Sequence, residues 1–529
     1  MWEHFQEGVK PHADIAPPAP ARDLSQKWFD PQWRAEYLDW YVAHSSLMAD
    51  MLPVANTQLG PGSLAAILGG VFEGGEDTIW IHPDPNFNDE IVFNPEHPNW
   101  LLHKELLKAC KAKANGNYFV GMPDLMEGLD VLAALKGTDM VLLDTVMQSE
   151  VLEQQMQQIN DIYFKVFDEL YDIIREGDEM AFCYFSSWAP GKMSKLQSDI
   201  STMISQDDYR RFVQPFIREQ CQKIDYTLYH LDGVGAMHHL PALLEIEELN
   251  AIQWTPGVGE PQGGSPKWYD LYKKILAGGK SVMACWVTLE ELKPLLDHIG
   301  ADGVHLEMDF HNEREVEQAM RIIEEYTGSS SSVSADVHTN QPVGEQDNAQ
   351  ESIRIREEKS QEEDRMKPLY DAIVAGKLEP AVEVTKDAIA AGVLPQDIIN
   401  GYMITAMGEV GQRFQDGKAF VPQLLMAGRA MKGALELLKP LLAGNASATI
   451  GKIVIGTVKG DLHDIGKNLV ASMLEGCGFE VINIGIDVTC DKFVEAVKEN
   501  KADILCMSAL LTTTMTYMQD VIRALEEAG

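Results

Sequence analysis

Positive charge is what this sequence has least of. It sets 43 Lys and Arg against 81 Asp and Glu, a formal net charge of −38 at pH 7. A surface of that sign repels phosphates, so nucleic acid is excluded as a partner. Cysteine is scarce as well. Seven in 529 residues, without paired spacings, fit a reducing cytoplasm better than a disulfide framework. The N-terminus, Met1-Trp2-Glu3-His4, has neither a basic segment nor an apolar core, so no secretory signal is read there. No apolar run approaches the length of a membrane span, which excludes the membrane as a partner of a helical anchor. Internal repeats are absent too.

What is present is the composition of a globular protein, 45% hydrophobic and 23% charged, with room for two or three domains. Residues 329–364 form one conspicuous break. Gly328 to Gln350 is rich in Ser, Asn, Gln and Asp, and a charged run from Arg354 to Arg365 follows. With few large apolar side chains, this stretch reads as a flexible linker. A shorter joint, Gly444-Asn445-Ala446-Ser447, lies further on. The expected layout is therefore residues 1–328, the linker 329–364, a helical part 365–443 and a final α/β part 450–529. The helical part shows four apolar-periodic segments, Met366 to Ala375, Glu379 to Ala391, Pro395 to Phe414 and Val421 to Leu442.

The most informative run is Gly460-Asp461-Leu462-His463-Asp464-Ile465-Gly466, placed directly after the strand-like Ile453 to Thr457. Such a loop can project one imidazole from a sheet edge. Asp461, two residues earlier, can accept the second ring N–H of His463, fixing its tautomer and raising its basicity as a ligand. Gly466 lets the backbone pass close to something bulky. A helix (Lys467 to Gly476) and two strands (Glu480 to Ile484, Ile504 to Ser508) follow, a βαβ rhythm that predicts a parallel, flavodoxin-like sheet. This Asp-x-His-x-x-Gly run, with Ser508-Ala509-Leu510 and Thr512 to Thr514, resembles the signature of cobalamin-binding domains. The resemblance implies that His463 is the lower axial cobalt ligand, and that Ser508, Leu510 and Thr512 line the slot for the nucleotide tail. The helical segments, with Met407-Gly408-Glu409-Val410-Gly411 and Phe420-Val421-Pro422, resemble the cap of methyl-carrying corrinoid proteins such as methionine synthase. The later Gly-Gly of that family is absent before Gly529, so the Rossmann-like part is expected to be truncated.

In residues 1–328, apolar strand-like segments alternate with helical stretches. They are Tyr118 to Gly121, Met180 to Phe185, Tyr226 to Leu231, Ala251 to Gln253, Ser281 to Trp286 and Gly303 to Met308. That alternation and length predict a TIM-type (β/α)8 barrel. Gly121-Met122-Pro123, Leu135-Lys136-Gly137-Thr138-Asp139 and Asp199-Ile200-Ser201-Thr202-Met203-Ile204-Ser205 resemble the uroporphyrinogen decarboxylase superfamily, which includes barrel methyltransferases working with corrinoid proteins. Residues 1–70 lack the Arg-rich segment with which the decarboxylases clamp porphyrin carboxylates, so the methyltransferase branch is the better match. Its thiol-methylating members hold zinc with His-x-Cys and a distant Cys. The matching positions here are His230 and Asp232, two apart on a strand and so on one face, and Glu307 near the last strand end. A His/Asp/Glu set is harder than His/Cys/Cys but compatible with Zn2+, and favours an oxygen or nitrogen leaving group. The same pair could instead hydrogen-bond substrate without metal. Cys285 is either a fourth ligand or strand core. His238 and His239 are expected on a surface helix, and Tyr184, Phe185 and Trp188 either pack on substrate or fill the core.

Together the resemblances imply methyl transfer from a small methylated substrate to protein-bound cob(I)alamin, with His230, Asp232 and Glu307 polarising the leaving group. They also imply a second methyltransferase with a folate or thiol acceptor, and a reductive activator of the corrinoid. Two alternatives stay open: a methyl-corrinoid to thiol methyltransferase, and a non-enzymatic cobalamin carrier or sensor with a degenerate barrel.

Overall fold

In the computed structural model the described residues are 15–45, 47–75, 78–84, 87–126, 128–185, 187–257, 259–327, 366–442, 451–461, 465–476, 479–509 and 512–528. The chain divides into two compact units, Met1–Ser331 and Ser332–Gly529. The linker expected at 329–364 and the joint Gly444 to Ser447 lie outside the described residues.

The first unit carries β1 (Val54–Ala55), β2 (Val71–Gly74), β3 (Ile79–His82), β4 (Phe119–Met122), β5 (Met180–Phe182), β6 (Trp188–Ala189), β7 (Met193–Leu196), β8 (Tyr226–Asp232), β9 (Ala251–Thr255), β10 (Ser281–Ala284) and β11 (Val304–Leu306). One sheet runs β1-β4-β5-β6, a second runs β11-β10-β9-β8-β7, and β2 with β3 forms a separate antiparallel hairpin. All pairings in the five-stranded sheet are parallel. In the four-stranded sheet β1, β4 and β5 are parallel, and β6 turns back antiparallel on β5. Among the described residues, strand hydrogen bonding does not close these sheets into one ring.

Two expected strands end early for the same reason. Phe185 and Trp286 adopt positive φ (59° and 55°), a left-handed conformation that a β-ladder cannot continue through. The ladders therefore stop at Phe182 and Ala284. Strands β1, β2, β3 and β7 escaped the sequence reading because two to four residues give too little periodicity to register. Helices wrap the sheets with single apolar faces. Ser149–Ile174 buries Leu152, Met156, Ile159, Tyr163, Val166, Phe167, Leu170 and Ile174, an i, i+3, i+4 stripe. Backbones meet closely at Gly121 of β4, where an added Cβ would lie 2.7 Å from Cys183 Cα and 3.0 Å from the Ala55 carbonyl oxygen.

The second unit begins with the predicted helices: residues 366–374, Leu378–Ala390, a continuous run from Pro395 to Gln415, and Val421–Leu442. The third contains a π-helical turn, Ile399–Met403. Gly376, at φ +67°, ends the first helix, and Lys377 N–H returns to the Ala372 carbonyl at 2.8 Å. Met366, Leu369, Ile373, Ile398, Met403, Met431, Leu435 and Leu438 make a common buried core. The remainder is a parallel sheet of β12 (Lys452–Thr457), β13 (Glu480–Asn483) and β14 (Ile504–Ser508), in the order β13-β12-β14. Helices Ile465–Gly476, Cys490–Asn500 and Thr512–Ala528 accompany it. Met473 packs against Val410, Ala419, Leu424 and Ala427 of the helical part, and Lys432 pairs with Glu475 at 2.8 Å. No helix among the described residues is long and apolar enough to cross a membrane.

Candidate functional site

Strand order β13-β12-β14 puts the reversal of chain direction across the sheet between β12 and β14. In open parallel sheets, ligands bind outside the carboxyl ends of the strands at that crevice. The loop after β12 and the segment after β14 both open there. Gly460, at φ +82°, makes the turn, and its N–H donates to Asp487 Oδ1 at 2.8 Å. Asp461 follows with no exposed surface, and Thr514 Oγ1 donates to its Oδ2 at 2.8 Å. Val458 N–H bonds the Ser508 carbonyl at 3.0 Å, tying the two loops together at their roots. Lys467 is buried, and its Nζ donates to the Gly485 carbonyl at 3.1 Å. A Cβ added at Gly466 would meet nothing within 4 Å, so this side of the loop is open space.

His463 and Leu510 lie outside the described residues, as does the Thr512 side chain. Asp461 follows β12 and Ser508 ends β14, two paired neighbouring strands, and Gly466 opens the helix after the β12 loop. Thr514, the last threonine of the Thr512 to Thr514 run, bonds Asp461.

Residues 451–529 match the B12 binding domain family, and residues 366–439 match a second family also described as a B12 binding domain. Trimethylamine corrinoid protein 1 of Methanosarcina mazei is 45% identical over 161 residues, 30% of this chain and 74% of that protein. Dimethylamine corrinoid protein 1 of Methanosarcina acetivorans is 47% identical over 152 residues, 27% of this chain and 71% of that protein. A chain of the methanol:cobalamin methyltransferase complex MtaBC of Methanosarcina barkeri is 33% identical over 34% of this chain and 70% of that chain, with a TM-score of 0.29. The chain belongs to the corrinoid proteins. Its buried Asp461, its open Gly466 side and its crevice between β12 and β14 fit a bulky corrinoid there.

The first unit of this corrinoid protein carries its own cluster at strand ends. His230 and Asp232 alternate to one face of β8, and Asp199 begins the turn Asp199–Met203 that follows β7. Ligand atoms of the three lie within 4.8 Å of one another. Asp130 clamps the turn, its carboxylate accepting the N–H groups of Asp199 (2.8 Å) and Ile200 (3.0 Å). Gln197 Nε2 donates to Asp199 Oδ2 at 2.9 Å. Behind it Lys195 Nζ bonds both Gln197 and Asp124, the latter at 2.7 Å. His230 Nδ1 faces Gln253 Oε1 of β9. The Phe185 ring stands 5.9 Å from the imidazole, centroid to centroid.

Burial, with the nearby Lys195 charge, lowers the His230 pKa, so the ring is neutral and its lone pair available. Burial raises Asp232, with the Asp199 charge adding to it against His230. Burial and then Asp199 push Asp130 up to about 7. Asp199 itself is raised by its surroundings, although one edge of it is exposed. The cluster is thus short of positive charge. A divalent cation on two carboxylates and a neutral imidazole would supply it, and an all N/O set suits zinc or a harder ion.

Glu307 lies just beyond β11 and is not among the three clustered ligands. Its N–H bonds the Ala284 carbonyl at 2.9 Å, and its carboxylate is hydrogen-bonded to the Cys285 thiol, whose pKa is raised by burial first and this carboxylate second. Cys285 is fully buried and is not among the three clustered residues. His239 is not on a surface helix. The segment Val234–His239 is a 3-10 turn that folds inward, leaving His239 1% exposed and stacked on Tyr209 at 4.3 Å. Phe185 faces the cluster, whereas Trp188 is 41% exposed. Asp124, Asp130, Lys195 and Gln253 carried no sequence signal, because none belongs to a motif that marks a site. Asp199 stood inside a quoted motif without a role attached to it.

Proposed function

We propose that this chain joins a methyltransferase barrel to its corrinoid carrier and moves a methyl group from a small donor to the bound corrinoid. One observation carries the reading: a His/Asp/Asp set at strand ends, in a chain whose other unit binds a corrinoid. Support for the barrel comes from strand order. Leaving aside the hairpin β2–β3 and the antiparallel β6, β1, β4 and β5 pair in parallel in chain order within one sheet, and β7 through β11 do so within the other. That is the succession of an eight-stranded α/β barrel, and the cluster lies at its carboxyl-terminal face, where such enzymes place their sites.

Asp199, His230 and Asp232 would hold a zinc ion, with Asp199 taking the place expected for Glu307. When bound, the ion supplies Lewis acidity toward the leaving atom, and the corrinoid supplies the methyl-accepting metal. The chain's own residues do the rest. Asp130 holds the backbone of the Asp199 turn, Gln197 donates to the Asp199 carboxylate, Gln253 bonds the His230 ring, and Phe185 covers one side of the imidazole. Apolar cover and orientation are what an in-line displacement needs most. A second methyltransferase using a folate or thiol acceptor, and a reductive activator, complete the reading.

The test uses the full-length chain reconstituted with cobalamin and reduced under argon. O-methyl, N-methyl, S-methyl and halomethyl donors are added singly while the visible spectrum is followed. Demethylation of an O- or N-methyl donor, with a matching change in the corrinoid spectrum, is expected. Methylation of an added thiol from a premethylated corrinoid, with every donor inert, overturns the direction of transfer. Inactivity both ways leaves a carrier or sensor.

A further inference from the structure

Gln253, the amide that bonds the His230 ring, is engaged at both of its ends. It sits in the middle of β9 with no exposed surface, opposite His230 on β8 and near Cys285, the residue just beyond the end of β10. Its Oε1 faces His230 Nδ1, while its Nε2 donates to Thr255 Oγ1 at 2.7 Å and to Cys285 Sγ at 2.9 Å. Thr255 and Cys285 thus occupy both donor hydrogens of the amide, which turns the carbonyl oxygen toward the ring. A carbonyl oxygen only accepts, so His230 must donate from Nδ1.

We infer that Gln253 is the positioning residue that sets the tautomer of His230, leaving the Nε2 lone pair free for a cation shared with Asp199 and Asp232. The inference rests on the proposed role of that cluster, but concerns only residues of this chain. An amide does this differently from the carboxylate that often backs a ligating histidine. It fixes ring orientation without adding a charge to a mouth already lined by Asp124, Asp130, Asp199 and Asp232. The Cys285 thiol extends the same chain to the Glu307 carboxylate, so the ends of β8, β9, β10 and β11 share one line of hydrogen bonds. Glu307 thereby bears on His230 through two intermediaries and not as a ligand.

The experiment uses the full chain, free of metal and labelled with ¹⁵N-histidine. Long-range ¹H–¹⁵N spectra at neutral pH report which ring nitrogen carries the proton, and the His230 signals are those lost in H230Q. Protonated Nδ1 and bare Nε2 are expected in the native chain, with a mixture of tautomers in Gln253→Leu. Zinc affinity, read by competition with a chromogenic chelator, should fall about 10- to 100-fold in Gln253→Leu, the range for losing an outer-shell partner. Gln253→Glu keeps an acceptor at the same reach and should retain both the tautomer and the affinity. Gln220→Leu is the folding control. It removes an equally buried amide, bonded to Asn160 between helices, and should move neither readout. A native chain with Nε2 protonated, an unchanged tautomer in Gln253→Leu, or equal losses in Gln253→Leu and Gln220→Leu would each overturn the assignment. A native chain that binds no zinc yet shows the expected tautomers, altered in Gln253→Leu, refutes the metal reading and upholds Gln253.

Discussion

Replacing Lys195 by Met tests whether the floor of the strand-end cluster is held by charge. Lys195 Nζ and Asp124 Oδ2 are 2.7 Å apart, with the side chains only 4% and 3% exposed. Removing one partner leaves the other charge buried without compensation, at a cost of about 3–5 kcal/mol. Removing both partners, in D124L/K195M, takes the stranded charge away. It leaves mainly the lost bond to Gln197, about 1 kcal/mol on the usual net value of a hydrogen bond. The coupling between the two sites should therefore be at least about 2 kcal/mol, with the double variant more stable than K195M alone. Tryptophan fluorescence in urea is the right assay, because all ten tryptophans, Trp2 to Trp286, belong to the first unit and report its unfolding alone. A K195M cost under about 1 kcal/mol, or a double variant less stable than the single, would show that the pair contributes little and that packing holds the floor.

Two more expectations follow from buried groups. His103 is 1% exposed, its Nδ1 is 2.6 Å from the Asn99 carbonyl, and burial lowers its pKa from 6.5 to about 4. As pH falls through that window the unfolded chain takes up a proton that the folded ring refuses, so stability present above pH 6.5 is lost toward pH 4. The full loss is about 3 kcal/mol and about 2 kcal/mol of it has occurred by pH 5. His103→Phe should shrink the difference in stability between pH 7.5 and 5 by roughly that 2 kcal/mol; parallel pH profiles would refute it. In the corrinoid crevice, Thr514→Val removes a donor from buried Asp461 without changing shape. Hydrogen bonds to charged groups contribute about 1.5–3 kcal/mol, so corrinoid affinity should drop about 10- to 100-fold in an absorbance titration of the apo chain. Affinity within twofold of native would mean that the loop does not depend on this bond.

The second unit was legible because its signals are local. One strand, a short motif and a helix stand in unbroken succession from Ile453 to Gly476, and the helical segments before them repeat their apolar residues every third or fourth position over ten or more residues. The first unit was legible only in outline. Strands of two to four residues, such as Val54–Ala55 and Met193–Leu196, are too short to show a period, and the left-handed residues Phe185 and Trp286 have no turn chemistry to announce them. His230 and Asp232 could be paired from the alternation of one strand. Asp199 could not, because only the parallel pairing of β7 with β8 brings its turn beside them.

In the proposed metal site, Asp199 in place of Glu307 has a physical logic. Parallel strands in chain order place each strand end next to its immediate neighbour, so β7 and β8 deliver ligands to one point whereas β11 is three strands away from β8. An amide on β9 and a thiol just beyond β10 stand between the two. The order His230, Gln253, Cys285, Glu307 follows β8, β9, β10 and the end of β11 one strand at a time. In this arrangement the charge that would have been a third ligand acts on the orientation of the first, and the Asp130 clamp on Asp199 becomes the more direct control of cluster geometry.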